Sequence, residues 1–113
     1  MPFDGSRLSS DIALQSIERV IDLLSSEGKW CKGVRETDDG RYCLARAIQL
    51  TNAQAVLEPV ILGAILEITG RSFWQIETFN DRFDTTHAEV RRVLLLARER
   101  ILARAVILVP RDR

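Results

Sequence analysis

Few residues in this 113-residue chain carry reactive chemistry, and they fall into one recognisable parts list. Cys43 stands where a helical pattern begins, and the free N–H groups of a first helical turn favour a thiolate by charge–dipole attraction. With His87, the single histidine, as base and Asp81, Asp84 or Asn80 to orient it, the chain holds the components of a cysteine hydrolase or acyltransferase. The competing reading is that Cys43, beside Leu44, is a core residue, as most non-disulfide cysteines are. Cys31, Cys43 and His87 could offer a metal three soft ligands, but eleven residues separate the cysteines, against about two to four in a zinc knuckle. No metal and no cofactor is therefore expected.

The reactive residues cluster at one stretch, Trp30 to Ala47, WCKGVRETDDGRYCLARA, which holds both cysteines, the sole tyrosine and one of two tryptophans. Lys29, Lys32, Arg35, Arg41 and Arg46 outnumber Glu36, Asp38 and Asp39 there, so an anionic ligand or an acidic protein surface could dock on it. The candidate binding residues are Trp30, Lys32, Gly33, Arg35, Arg41 and Cys43, joined by Asn80 and Asp81 if that pair lines the same groove. Against this, Trp30 reads more readily as a plug over the core than as a ligand platform, and Asn80-Asp81 reads first as a turn. A third chemistry is DNA binding: residues 57–83 have the outline of a helix-turn-helix, with Ser72, Gln75, Asn80 and Arg82 facing the groove. The recognition helix would then be largely apolar, through Phe73, Trp74, Ile76 and Phe79. The chain as a whole, with sixteen basic and sixteen acidic residues, lacks the electrostatic footprint of a nucleic-acid binder.

The elements that must position these residues follow from apolar spacing. Ala13, Ile17, Val20, Ile21 and Leu24 recur at intervals of three and four and predict a helix from Ser10 to Ser26, opened by Ser9-Ser10-Asp11 and closed at Gly28. From Lys29 to Tyr42 the period disappears, which predicts an irregular loop pinned by Trp30 in preference to a hairpin. Leu44, Ala47 and Ile48 mark a second helix beginning within two residues of Cys43. Pro59 is tolerated in a first turn and so predicts a third helix from Glu58 to Thr69, apolar on nearly every side and hence central. Ser72 can cap a short helix through Phe79. Thr86 and Glu89 have capping-box spacing at the head of a long last helix whose stripe is Val90, Val93, Leu94, Ala97, Ile101, Ala105 and Leu108, with Pro110 as its end. Leu95, Leu96, Leu102, Val106 and Ile107 lie off that stripe and suggest a second buried surface, a homodimer contact through residues 86–109. The bundle wrapping this helix on most sides would account for them equally well.

An apolar fraction of 46% and a charged fraction of 28% are ordinary for one globular domain of this length. The N-terminus has no cationic region followed by an apolar run, and the longest apolar run, Val60 to Leu66, is far short of about 20 residues, so the reading is a cytoplasmic protein that spans no membrane. The fold expected is all-α: a compact bundle of four main helices plus one short one, in a single domain over 1–113, with an irregular loop at 29–42.

The pattern Trp30-x-x-Gly33, Gly40-x-x-Cys43-Leu44-x-x-Ala47-Ile48, Phe79-Asn80-Asp81 and Glu89-Val90 resembles a family of small uncharacterised bacterial and phage proteins catalogued as a domain of unknown function. The similarity spans roughly Leu14 to Ala97, and Arg46 departs from it where many relatives have a small residue. The resemblance implies a helical fold and supplies no activity. Together these observations favour a small non-enzymatic interaction or regulatory module, encoded by a phage or mobile element, that binds a protein partner. The alternative is a Cys43/His87 enzyme or small-ligand protein.

Overall fold

The structure, a computed structural model, describes residues 5–108, with side chains described from Asp11 to Arg104. It is all-α: α1 (Gly5–Leu23), α2 (Leu44–Leu50), α3 (Gln54–Thr69), α4 (Ile76–Asn80) and α5 (His87–Leu108), with a single 3-10 turn at Glu27–Lys29. No strand forms among the described residues. The loop after α1 makes only two isolated bridges, Trp30 with Tyr42 and Glu36 with Tyr42, so the aperiodic stretch is the irregular loop that its sequence predicts.

α1 buries Ala13, Ile17, Val20 and, just past its end, Leu24, the stripe read from the spacing. It begins at Gly5 instead of Ser10, placing Asp11 on its solvent face. Polar residues on such a face lower helix propensity by only a few tenths of a kcal/mol, and the helix runs through them. Gly28 does not close it. The chain leaves α1 through 3-10-type bonds, Ser25 N–H to the Asp22 carbonyl (3.3 Å) and Lys29 N–H to the Ser26 carbonyl (3.0 Å), which need no left-handed residue.

α2 starts at Leu44, as expected, and the bend at Asn52 (φ 60°) leads into α3, which begins at Gln54, four residues before the expected start. Pro59 therefore lies inside α3 and not in its first turn. The one hydrogen bond it forgoes would reach the Ala55 carbonyl, near the helix end, and burial of Leu57, Val60, Ile61, Ala64 and Ile65 offsets the loss. Gly70 (φ 73°) terminates α3 in the left-handed conformation, its N–H on the Leu66 carbonyl at 2.8 Å.

α3 is the central helix, as its all-round apolar sequence predicts: it packs against α1, α2, α4 and α5, while Val56 and Leu66 remain exposed. α5 packs against α1 and α3. The α5 stripe Val90, Val93, Leu94, Ala97 and Ile101 is buried, and the Glu89 N–H reaches the Thr86 hydroxyl at 3.1 Å, the expected cap. The stripe residues Ala105 and Leu108, the off-stripe Val106 and Ile107, and Pro110 lie beyond the described side chains.

α4 is five residues long and begins at Ile76, not after Ser72. Phe73 anchors the preceding segment by packing edge-on to Phe79, ring centroids 5.8 Å apart. A recognition helix built here would have one turn with Ile76, Phe79 and Asn80 buried, so Asn80 does not face a groove as a helix-turn-helix requires.

Candidate functional site

The loop from Trp30 to Cys43 is held in place by a handful of backbone bonds to its own return limb. Cys31 N–H donates to the Tyr42 carbonyl (3.1 Å), Tyr42 N–H to the Lys29 carbonyl (2.9 Å), and Cys43 N–H to the Arg35 carbonyl (2.9 Å). Two glycines make the folded path accessible, Gly33 at φ 81° and Gly40 at φ 89°.

The short α4 aims Asn80 into this loop. Asn80 is fully buried and uses all of the hydrogen-bonding capacity that its surroundings can address. Its Oδ1 accepts from the Trp30 indole Nε1–H at 2.7 Å and from the Leu44 N–H at 3.0 Å. Its Nδ2 donates to the Cys31 carbonyl at 3.1 Å and to Asp81 Oδ1 at 2.8 Å. Asp81 Oδ1 also accepts the Gly33 N–H at 2.9 Å. Lys32 closes the same contact from outside, its Nζ donating to the Arg82 carbonyl at 2.6 Å and lying 5.5 Å from the Trp30 ring centre. One asparagine thus ties together the start of the loop, the start of α2 and the end of α4.

Trp30, Gly33, Asn80 and Asp81, the expected binding residues, do come together, but as an internal clasp with its polar atoms satisfied. The proposed nucleophile and base do not form a dyad. Cys43 is buried, and its Sγ caps α2 by accepting the Arg46 N–H at 3.4 Å. Burial pushes its thiol above the ordinary value of 9.0, outweighing the lowering by the Arg46 and Ala45 N–H groups. The helix terminus therefore does not activate it. His87 points elsewhere: its Nε2 lies 2.7 Å from the Leu24 carbonyl, which can only accept, so that nitrogen carries the hydrogen. The imidazole also packs beside Trp30, centroids 6.1 Å apart, while Asp81 is turned to Gly33 and Asn80. No hydrogen bond joins Cys43, His87 and Asp81 among the described residues. Cys31 is likewise pushed up, first by burial and then by neighbouring Cys43, and its Sγ meets the Val34 carbonyl at 3.5 Å.

The cations of the loop are committed as well. Arg41 pairs with Asp39, Arg46 with Glu36 at 2.9 Å, and Arg35 reaches Gln49 at 2.8 Å and Glu77 at 3.8 Å. Lys29 bonds the Ser25 hydroxyl at 3.3 Å. A shallow open depression beside Trp30 carries Lys32 and Arg41 on its wall but also Glu27 and Asp39, which removes the net charge an anion would seek.

A family model described as a family of unknown function (DUF6197) matches residues 10–100. The chain belongs to this family. No curated protein and no solved structure shows a significant match. Part of the pattern that carried the resemblance falls on the clasp and its edge: Trp30, Gly33, Cys43 and the Asn80-Asp81 pair. For this DUF6197 chain those positions fix the loop to the bundle.

The most accessible apolar residues lie outside that pattern and were not singled out from sequence. Trp74 is 97% exposed and Phe83 91% exposed. Their chain neighbours Phe73 and Arg82 both line a cleft of about 220 Å³, closed by Arg71, Phe79, Asp84 and Glu89. Arg82 grips Asp84 with two bonds (3.0 and 3.2 Å), and this guanidinium holds the Asp84 carboxyl below its ordinary value. Trp74, expected on an apolar helix face, stands before α4. The only sequence signal to the contrary is its position between Gly70 and Ile76, where helical period is too short to bury it.

Proposed function

We propose that this DUF6197 chain is a non-enzymatic module that binds a protein partner through the surface bearing Trp74 and Phe83. The observation that carries this reading is the near-complete exposure of these two aromatic side chains, whose chain neighbours Phe73, Arg82 and Asp84 line one cleft. Tryptophan is the residue most enriched among interface hot spots, and aromatic side chains left in water forgo roughly 1.5–3 kcal/mol each of available burial energy. The internal use of Cys43, His87, Asn80 and Asp81 supports the same reading, because it leaves none of them poised for turnover. Chemistry narrows the partner to an apolar or aromatic peptide segment, with the cleft's mixed charges at its margin.

The test is to pan a random phage-displayed peptide library on the wild-type protein and on Trp74→Ala/Phe83→Ala. The expected result is enrichment of aromatic-rich peptides on the wild type that the double variant, equally stable, fails to retain. Absence of enrichment, or peptides that bind both proteins alike, overturns the proposal.

A further inference from the structure

A second surface, remote in sequence from Trp74, is written along the exposed side of α5. Ala88, Arg92, Leu95, Glu99 and Ala103 are all exposed, and their spacings of four, three, four and four place them on one helical face. Arg92, Leu95 and Glu99, with Leu96 and with Ile68 of α3, line a shallow groove along it. Other arginines of α5 are satisfied within the chain: Arg98 pairs with Glu18 at 3.0 Å and Arg100 with Glu67. Arg92 and Glu99 have no ion-pair partner among the described residues.

The order of residues on this face is self-complementary when reversed. A two-fold axis midway between positions 95 and 96 sets Ala88 against Ala103, Arg92 against Glu99 and Leu95 against Leu96 of a second copy. Two arginine–glutamate pairs then form at once, leucines meet at the centre, and alanines at either end let the helices approach. A closed two-fold contact requires this kind of self-matching surface. A parallel pairing would oppose Arg92 to Arg92 and Glu99 to Glu99.

We infer that the occupant of this face is a second copy of the same chain, paired antiparallel through α5 with Arg92 of each copy on Glu99 of the other. The inference is independent of the partner surface at Trp74 and Phe83.

Sedimentation measured from about 1 μM to about 1 mM tests it. The wild type is expected to sediment as a dimer in the upper part of that range. Arg92→Glu and Glu99→Arg, both on the exposed face, should each keep the wild-type melting temperature and weaken self-association by about tenfold or more, since each turns two attractions into repulsions. An equimolar mixture of the two variants should dimerise again, because every opposed pair is then of opposite sign. Trp74→Ala/Phe83→Ala should dimerise like the wild type. A wild type that stays monomeric throughout would give the face to some other occupant and overturn the inference. So would a dimer indifferent to both charge reversals, a mixture that stays monomeric, or a dimer lost on removing the two aromatics.

Discussion

Replacing Asn80 by alanine isolates the contribution of the clasp. The substitution strands two buried donors, Trp30 Nε1–H and Leu44 N–H, and one buried acceptor, the Cys31 carbonyl. Leaving a buried polar group unpaired costs about 1–3 kcal/mol, and partial access of water to the space vacated lowers the sum, so the loss should be about 3–5 kcal/mol. Against a domain stability of roughly 5–15 kcal/mol this is a large fraction, equivalent to a fall in melting temperature of about 12–20 °C. Urea unfolding followed by tryptophan fluorescence is the suitable assay. Trp74 is exposed in the folded protein already, so the spectral change reports chiefly on Trp30, the residue whose partner is removed. Asn80→Asp sharpens the test. It keeps an acceptor for Trp30 and Leu44 but turns a second oxygen toward the Cys31 carbonyl and the Asp81 carboxylate. Its folded-state carboxyl is therefore favoured in the protonated, donating form. With the folded pKa raised, stability is retained below the unfolded aspartate value near pH 4 and lost as pH rises through the folded one. A loss below about 1 kcal/mol for Asn80→Ala, or an aspartate variant with the same pH profile as the wild type, would refute the assignment of Asn80 as the tie between loop, α2 and α4.

Burial raises the Cys43 thiol above 9.0, so the unfolded chain releases that proton first as pH rises; stability should be intact below about pH 9 and decline above it, and Cys43→Ser should flatten that decline in urea midpoints measured up to about pH 10.5. An unchanged slope counts against the burial argument. Gly33 and Gly28 both have open space where a Cβ would stand, but only Gly33 has positive φ, so Gly33→Ala should cost about 1–2 kcal/mol and Gly28→Ala less than about 0.5 kcal/mol in the same denaturation assay. Equal effects would mean that backbone strain is not what distinguishes them. Trp74→Ser and Phe83→Ser should each shift stability by less than about 0.5 kcal/mol, because neither side chain is packed; a larger loss by calorimetry would contradict their exposure.

The helical frame was legible because burial in a small bundle imposes a period of three and four; α1 and α2 show one stripe each, and α5 shows one with further apolar residues beside it. α3 was legible as the central helix because its apolar residues run round it, although no pattern says that Val56 and Leu66 are the ones left in water. Helix starts were harder. Gln54 begins a helix with no side-chain cap, Ala53 standing before it, while Ser10 and Pro59, which resemble starts, lie within helices. The gathering of Trp30, Gly33, Cys43, Asn80 and Asp81 was legible as a cluster of unusual residues. What it does was not, since the separation of about fifty positions between Trp30 and Asn80 is bridged by a hydrogen bond that spacing cannot encode.

A buried asparagine with four partners is an uncommon way to secure a loop, and its chemistry explains why the surrounding residue types look catalytic. Where the loop's backbone bonds leave an N–H or carbonyl group unmatched, a side chain must satisfy it, and the side chains able to do so are the donors and acceptors that also serve active sites. Asn80 takes the Leu44 N–H, Cys43 Sγ takes that of Arg46, and Asp81 takes that of Gly33; each of these N–H groups would otherwise be an unpaired donor at a helix start or a tight turn. The indole of Trp30 supplies apolar bulk over the bundle and one donor aimed at the same asparagine. Trp30, Gly33, Cys43, Asn80 and Asp81 therefore each have a structural task, discharged within the chain. The proposed binding therefore rests on side chains with no such task, and among the described residues Trp74, Phe83 and the Arg92–Leu95–Glu99 face meet that condition most clearly.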